Sequence, residues 1–222
     1  VHPNCIPQRE EPEDNNSNIP LSFKLKNLDS KHPFITQNKR LTDETATEFG
    51  IGFCSKGIMK DRIAIPIHDI EGNLVAYAGR AVNERKIKEE GKYRFPSGFH
   101  KSHELYNLHR ILSSPVLSIV EKHGVVITEG FFDVMWLWQC GIKNAVALMG
   151  TAVSKHQLEK LKAVTDRFFI FTDNDTAGLA CAFSLQTQLS DKETHHFRYH
   201  KPYSAYHSPE DFTQEDLQII LS

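Results

Sequence analysis

Three carboxylates stand out by the company they keep. Glu129 ends the apolar run VVIT and is followed by the largely apolar stretch GFFDVMWLWQC, and Asp173 and Asp175 end the apolar run FIFT in FIFTDNDTAG. A carboxylate in such surroundings costs free energy unless something positive sits beside it. In open α/β sheets ligands bind at the carboxyl ends of the strands, so acids at two strand ends can converge on one cation. An all-oxygen donor set, without His or Cys, suits Mg2+ or Mn2+ better than zinc. Residues i and i+2 of an extended chain project to one side, which lets Asp173 and Asp175 act together. Asp133, four residues after Glu129, either reaches back to the same cation or caps its own helix. A plainer reading stands beside the metal reading, because Asp175 ahead of TAGLACA also has the pattern of a helix N-cap.

The elements that must position these acids follow from the rhythm of the second half. VVIT precedes a helical stretch FFDVMWLWQC, NAVALMG precedes SKHQLEKLKAVTD, RFFIFTD precedes TAGLACAFSLQTQLS, and HHFRYH leads to a terminal helix near PEDFTQEDLQIIL. Strands alternating with helices predict an α/β fold, a mostly parallel sheet flanked by helices. The first half reads differently. LTDETATEFGIGF starts a helix with Thr42 as N-cap, and DRIAIPIHDIEGNLVAYAGRAV reads as two strands joined by a turn at Glu71-Gly72-Asn73. ERKIKEEGKYRFPSGFHKSH reads as a polar loop with a short strand near Tyr93, and LYNLHRIL as helical. Residues 1–20 are acidic and rich in Pro and Asn, a flexible tail or linker. The division expected is 1–20 tail, 21–115 a smaller mixed α+β subdomain, and 116–222 the α/β domain.

Composition narrows the classes. At 222 residues, 40% hydrophobic and 24% charged, the chain suits one large domain or two small ones packed together. A formal net charge of -2 means that any nucleic-acid surface must be local. Cys5, Cys54, Cys140 and Cys181 lie far apart with no CxxC pair, which argues against a zinc site or disulfide framework and for a reducing cytoplasm. Cys140 and Cys181 read as buried small hydrophobes, and Trp136 and Trp138 as core packing. His195, His196, His200 and His207 have no standard metal spacing. No apolar run reaches the length of a membrane span, and the chain opens on Val1, as a piece of a longer protein would.

TEGFFD, NAVALMGTAVSKHQLEKL and FIFTDNDTAG together resemble the TOPRIM domain of primases, topoisomerases and several nucleases. The resemblance implies a Rossmann-like fold in which Glu129, Asp173 and Asp175 hold Mg2+ near a phosphoester. Upstream, EFGIGF, DRIAIPIHDIEGNLVAYAGRA and KYRFPSGFHKSHELYNL are similar in order and spacing to the catalytic core of bacterial (DnaG-type) primases. That resemblance implies metal-dependent synthesis of short RNA primers from NTPs on a single-stranded DNA template, with two Mg2+ or Mn2+ ions and no zinc in this chain. It places Arg62, Arg80, Lys92, Tyr93 and Lys101 in a basic groove and Gly150 and Thr151 at a turn beside it. Arg62, Arg80 and Lys101 rank above Lys92, because each sits beside an apolar strand or an aromatic residue rather than in a charge run. A replicative helicase would be reached through regions outside this chain, and no membrane is involved.

This chain also departs from that pattern. An acidic D-P-D/E element is usual, and here HSPEDF puts Ser208 and Glu210 in its positions, with Asp211 following. The loop from Tyr93 to Lys101 is about three residues shorter than usual, and Phe95 stands where an asparagine is common. Two other readings remain: a TOPRIM-type metal-dependent nuclease, and a non-catalytic nucleic-acid or nucleotide-binding module. A topoisomerase would need a nucleophilic tyrosine in a separate domain, for which the chain has no room.

Overall fold

Two four-stranded sheets of opposite character organise the chain, in a computed structural model that describes residues 17–221. The first is antiparallel, in the order β1 (Gly52–Cys54), β2 (Arg62–His68), β3 (Leu74–Ala81), β4 (Tyr93–Arg94). The helix α1 (Asp43–Phe49) precedes it. The Thr42 hydroxyl accepts from the Thr45 N–H at 3.2 Å, as the sequence leads one to expect, and Gly50 closes the helix in the left-handed conformation. The turn between β2 and β3 runs through Asp69–Asn73, where the Asp69 carboxylate accepts from both the backbone and side-chain N–H groups of Asn73.

The polar stretch after β3 differs from its expectation. Glu84–Glu90 is not loop but helix α2, capped by the Asn83 side chain, which accepts from the Lys86 N–H at 2.9 Å. Ion pairs one turn apart, Arg85–Glu89 and Lys86–Glu90, line its exposed face. Gly91 then ends it with φ of 83°. A charge run broken by glycine hides this helix from a reading based on apolar periodicity.

Two short helices, α3 (Leu108–Ile111) and α4 (Val116–His123), lead into the second sheet; α4 was not anticipated. That sheet is wholly parallel, in the order β6 (Ala145–Ala147), β5 (Val125–Thr128), β7 (Arg167–Ile170), β8 (Glu193–His196). Its helices are α5 (Phe131–Gln139), α6 (Lys155–Val164) and α7 (Thr176–Gln188), with α8 (Gln214–Leu221) closing the described chain. The expected alternation is present, and the order puts a switch point beside β5. The connection from β5 goes one way to β6, and the next one crosses back to β7, which opens a crevice beyond the carboxyl ends of β5 and β7.

One hydrophobic core joins the sheets. Ile63, Ile65 and Ile67 of β2 share it with Phe131, Phe132, Val134, Met135 and Leu137 of α5 and with Phe212. The helix α5 is buried nearly all round because it packs between the two halves. Trp136 and Trp138 lie at its margin, partly buried, with Trp136 Nε1 donating to the Phe212 carbonyl at 3.0 Å. Cys140 and Cys181 are buried free thiols, and burial pushes them up to about 11 and about 12.

The expectation of a tail over residues 1–20 falls mostly on residues 1–16, outside those described. Asn18, however, is docked. Its side chain accepts from the His100 N–H at 2.8 Å and donates to the His100 carbonyl at 3.1 Å and to Glu104 Oε1 at 3.0 Å. Three bonds across more than eighty residues hold Asn18 to the loop before Lys101. Asn18→Ala is expected to lower stability by about 1–3 kcal/mol in a denaturant titration, because it removes three hydrogen bonds that hold that loop. An unchanged midpoint would show that the strap carries no load.

At the end of β2, His68 meets His109 of α3 with ring centroids 4.6 Å apart, and the Nδ1 atoms of both are buried without a partner. Burial first, then the charge of Arg110, lowers His68 to about 4 and His109 to about 3, against the pull of Asp69. Lys24 adds to the effect on His68 and the two rings repel each other when protonated. The folded state therefore binds fewer protons than the unfolded one between pH 6.5 and about 3. The pair's contribution is whole above pH 6.5 and is lost as pH falls through about 4 to 3. A His68→Gln/His109→Gln variant should lose stability less steeply than wild type over that window, by on the order of 1–3 kcal/mol after allowance for solvent screening. Parallel slopes in chemical denaturation at pH 7, 5.5 and 4 would refute this.

Candidate active site

The acids sit in the crevice that the strand order opens. Glu129 follows β5 directly, and Asp173 and Asp175 lie in the loop after β7. Glu129 Oε1 accepts from the Asp173 N–H at 2.9 Å, which ties the two strand ends together. The loop is held from its other side as well. The Tyr199 hydroxyl donates to the Thr172 carbonyl at 2.9 Å, the Asn174 N–H donates to the His207 carbonyl at 2.7 Å, and Asn174 Nδ2 donates to the Tyr206 carbonyl at 2.8 Å. Asp175 is the N-cap of α7, its Oδ1 accepting from the Gly178 N–H at 2.8 Å. The cap reading of Asp175 thus holds, and it leaves the residue at the same strand end as Asp173.

Gly178 is what lets this loop close. A Cβ at that position would lie 2.1 Å from the Asp173 carbonyl oxygen and 2.8 Å from Glu129 Oε1. Only a residue without a side chain allows the first turn of α7 to approach both acids so closely.

Crowding of acids is visible in their proton affinities. Burial, with the charges of Asp173 and Asp175 adding to it, lifts Glu129 to about 7 despite its bond from the Asp173 amide. Burial and the Asp175 charge lift Asp173 to about 6. Asp133 is 4% exposed and is raised well above the ordinary carboxylate range by burial, then by Glu210 and Asp173. Its Oδ2 accepts from the Gly130 N–H at 3.0 Å, so it caps its own helix, yet it also lies within the electrostatic reach of the cluster.

The basic residues fall into two groups. Arg62, expected in an open groove, is 1% exposed. Its guanidinium donates to the Gly79 carbonyl at 3.0 Å and pairs with Glu90 at 3.0 Å, because β2 is covered on both faces and an unpaired charge there would be costly. Arg62 reads as a strut between β2, β3 and α2. Arg80 is also buried, its guanidinium lying 5.1 Å from the Phe34 ring and 5.5 Å from the Tyr93 ring. Tyr93 is partly buried, its ring packing 5.4 Å from that of Phe131, and burial raises its hydroxyl's pKa. Lys92, ranked last from sequence, is exposed and is one of two lysines whose charge acts on Asp173; it acts on Glu129 too. Lys101 lies against the 150–151 turn, close enough that a Cβ on Gly150 would come within 2.8 Å of its ammonium. Thr151 beside it is exposed.

Residues 126–212 match the Toprim-like family model, and residues 57–112 match that of the DNA primase catalytic core, N-terminal domain. The two matches take in most of the described chain, one spanning β2 to β4 of the first sheet and the other nearly all of the second. This chain has the two-part build of a primase catalytic core. It is 34% identical over 138 residues to a DNA primase of Pseudomonas putida, covering 60% of this chain and 19% of that one. Among solved structures, the primase of Aquifex aeolicus, with zinc-binding and RNA polymerase domains, superposes with a TM-score of 0.70 at 22% identity, covering 86% of this chain and 56% of that one. A DnaG primase catalytic domain bound to ssDNA superposes with a TM-score of 0.67 at 20% identity, covering 85% and 72%. The chain spans less than a third of the length of the curated primases it matches.

The region that stands in place of the D-P-D/E element has its own arrangement in this chain. Glu210 forms a two-pronged ion pair with Lys39, whose Nζ lies 2.9 Å from Oε1 and 2.7 Å from Oε2. Arg40 donates to the Glu210 carbonyl and lies over the Trp136 ring at 4.4 Å. Asp211 Oδ2 accepts from the His207 and Ser208 N–H groups at 2.6 and 3.2 Å. Sequence reading missed Lys39 and Arg40 altogether. They precede LTDE without any distinguishing pattern, and their partner lies some 170 residues away.

No three His, Cys, Asp or Glu side chains among the described residues converge closely enough to hold a metal ion as they stand. Their chemistry nonetheless fits one. Glu129 and Asp173, whose proton affinities are raised by burial first and by neighbouring acids second, lie with Asp175 at one strand-end crevice tethered by backbone amides, and form the hard oxygen set that a divalent cation favours. Among the described residues no helix is long and apolar enough to cross a membrane.

Proposed function

We propose that this chain is the catalytic core of a DNA-directed RNA polymerase that makes short RNA primers on single-stranded DNA. The observation that carries this reading is the crevice at the ends of β5 and β7, where Glu129 is bonded to the Asp173 amide and Asp175 caps α7, set beside a primase-core amino-terminal half. The matched primases and primase cores support it, among them one bound to ssDNA.

In this reading Glu129, Asp173 and Asp175 hold Mg2+ or Mn2+, with Asp133 behind them. A divalent ion held there would supply the charge that activates a primer 3′-hydroxyl and neutralises a leaving pyrophosphate. The chain's own residues bind and orient. Lys92 supplies positive charge at the mouth of the acidic crevice. Lys101, with Gly150 and Thr151, offers an ammonium and exposed turn groups for triphosphate oxygens. Arg80 and Tyr93 act by fixing the wall on which that groove is built, and Arg62 by bracing the sheet behind it. Glu129, bonded to the Asp173 amide and raised to about 7 by burial, would serve as ligand or general base. The work of such a core belongs in the cytoplasm, beside a helicase reached through other parts of a longer protein. The residue bounds 21–115 and 116–222 serve as working limits of the two halves.

The test is direct. The chain is incubated with NTPs, Mn2+ and a single-stranded DNA template, beside labelled DNA and RNA as a nuclease control. RNA oligomers that require Glu129 support the proposal. Degradation of the labelled strands without synthesis would make the chain a TOPRIM-type nuclease instead, and binding without either activity would make it a non-catalytic module.

A further inference from the structure

Glu210 and its neighbours form the second half of the acidic pocket, and both Glu210 oxygens are already engaged by a cation of the chain itself. Both Glu210 oxygens face the Lys39 ammonium at 2.7 and 2.9 Å, and Lys39 is fixed there by the Phe132 ring, 4.9 Å from its nitrogen. Asp133 spends Oδ2 on the Gly130 amide, and Asp211 spends Oδ2 on two amides. Position 208 carries a serine where an acid would offer another ligand. The Lys39–Glu210 pair is about four-fifths shielded from solvent, and Arg40 holds the Glu210 carbonyl from the next residue. The charge of Lys39 reaches Asp133 and Asp173, so the ammonium serves the whole pocket and not Glu210 alone.

We propose that Lys39 is the resident counter-cation of this half of the pocket, so that the chain binds one divalent ion at Glu129, Asp173 and Asp175 and none at Asp133 and Glu210. A charged amine cannot leave or exchange as a metal does. It neutralises Glu210 permanently and makes the pocket indifferent to divalent concentration on that side. Removing the amine while keeping its bulk frees two carboxylate oxygens of Glu210 beside Asp133, which together offer a divalent site. Lys39 acts here as a positioning residue for the acids.

This inference rests on the metal-dependent reading above, and the test separates the two. Bound Mn2+ is counted in the full chain without nucleotide or DNA, by the electron paramagnetic resonance signal of the free ion and by calorimetric titration. Wild type and Lys39→Arg should each bind one ion that Glu129→Gln abolishes, and Lys39→Met should bind two. Two ions in wild type, or one in a folded Lys39→Met, would overturn the role of Lys39. No Glu129-dependent ion in any of them would overturn the metal-dependent reading itself. Because Lys39→Met removes a buried ion pair, its folding is checked by circular dichroism. If it does not fold, Lys39→Gln takes its place, and the wild-type count decides against the inference whenever it is two.

Discussion

Glu129→Gln is expected to abolish primer synthesis while leaving the metal-free protein at least as stable as wild type. The amide keeps the acceptor that binds the Asp173 N–H, so the strand ends stay tied. What is lost is the charge that a divalent cation requires. The expected fall in single-turnover nucleotide incorporation is on the order of 10³-fold or more, ~4 kcal/mol of barrier. Asp173→Asn and Asp175→Asn should fall comparably, and Asn is as good an N-cap as Asp for α7. Stability should move the other way. The folded state raises Glu129 to about 7, so its contribution is whole below pH 4.5 and is lost as pH rises through 7. In EDTA at pH 8 the glutamine variant should therefore be more stable, by about 1 kcal/mol once solvent screening is allowed for. The gap should close towards pH 4.5. A variant that keeps its activity, or one that unfolds, would remove Glu129 from the site.

Gly178→Ala carries the second large effect, against the sign that helix propensity alone would give. Alanine inside a helix is usually stabilising by about 1 kcal/mol over glycine. Here its methyl group would sit 2.1 Å from the Asp173 carbonyl oxygen, a backbone atom that can move only by opening the loop between Thr172 and Asp175. That movement breaks the Glu129–Asp173 tie and shifts the acids relative to one another. Stability should drop by roughly 2–4 kcal/mol, and incorporation by about 10²-fold even where the protein remains folded. Denaturant titration and incorporation assays on the same samples check both. A stabilised, fully active Gly178→Ala would show that the loop does not need this close approach.

The fold was legible where local chemistry and periodicity agree. VVIT and RFFI are short apolar runs bounded by turn residues, and Thr42 and Asp175 cap the helices that their positions suggest. The acids were legible because a strand end is a place that sequence can locate. The basic residues were not, because whether an arginine faces solvent depends on what covers its strand. Arg62 is buried and Lys92 exposed for that reason: β2 is covered on both faces, and the end of α2 is open. The helix α2 was missed because capping and ion pairs, not an apolar stripe, define it. Lys39, His68 and His109 each depend on a partner from a distant element, which no spacing along the chain reveals.

The helix α5 has consequences beyond the crevice it borders. Its Phe131 ring meets Tyr93 and Tyr106 from the first half at 5.4 and 4.8 Å, its Phe132 ring meets Phe34 at 6.0 Å, and its Trp136 bonds to Phe212 in the second. Neither half can melt without exposing this helix. Calorimetry should therefore register a single cooperative transition, and a protease that nicks the chain near residue 115 should release no fragment that stays folded on its own. A joint of this kind fixes the two sheets against each other through one shared core as the protein folds.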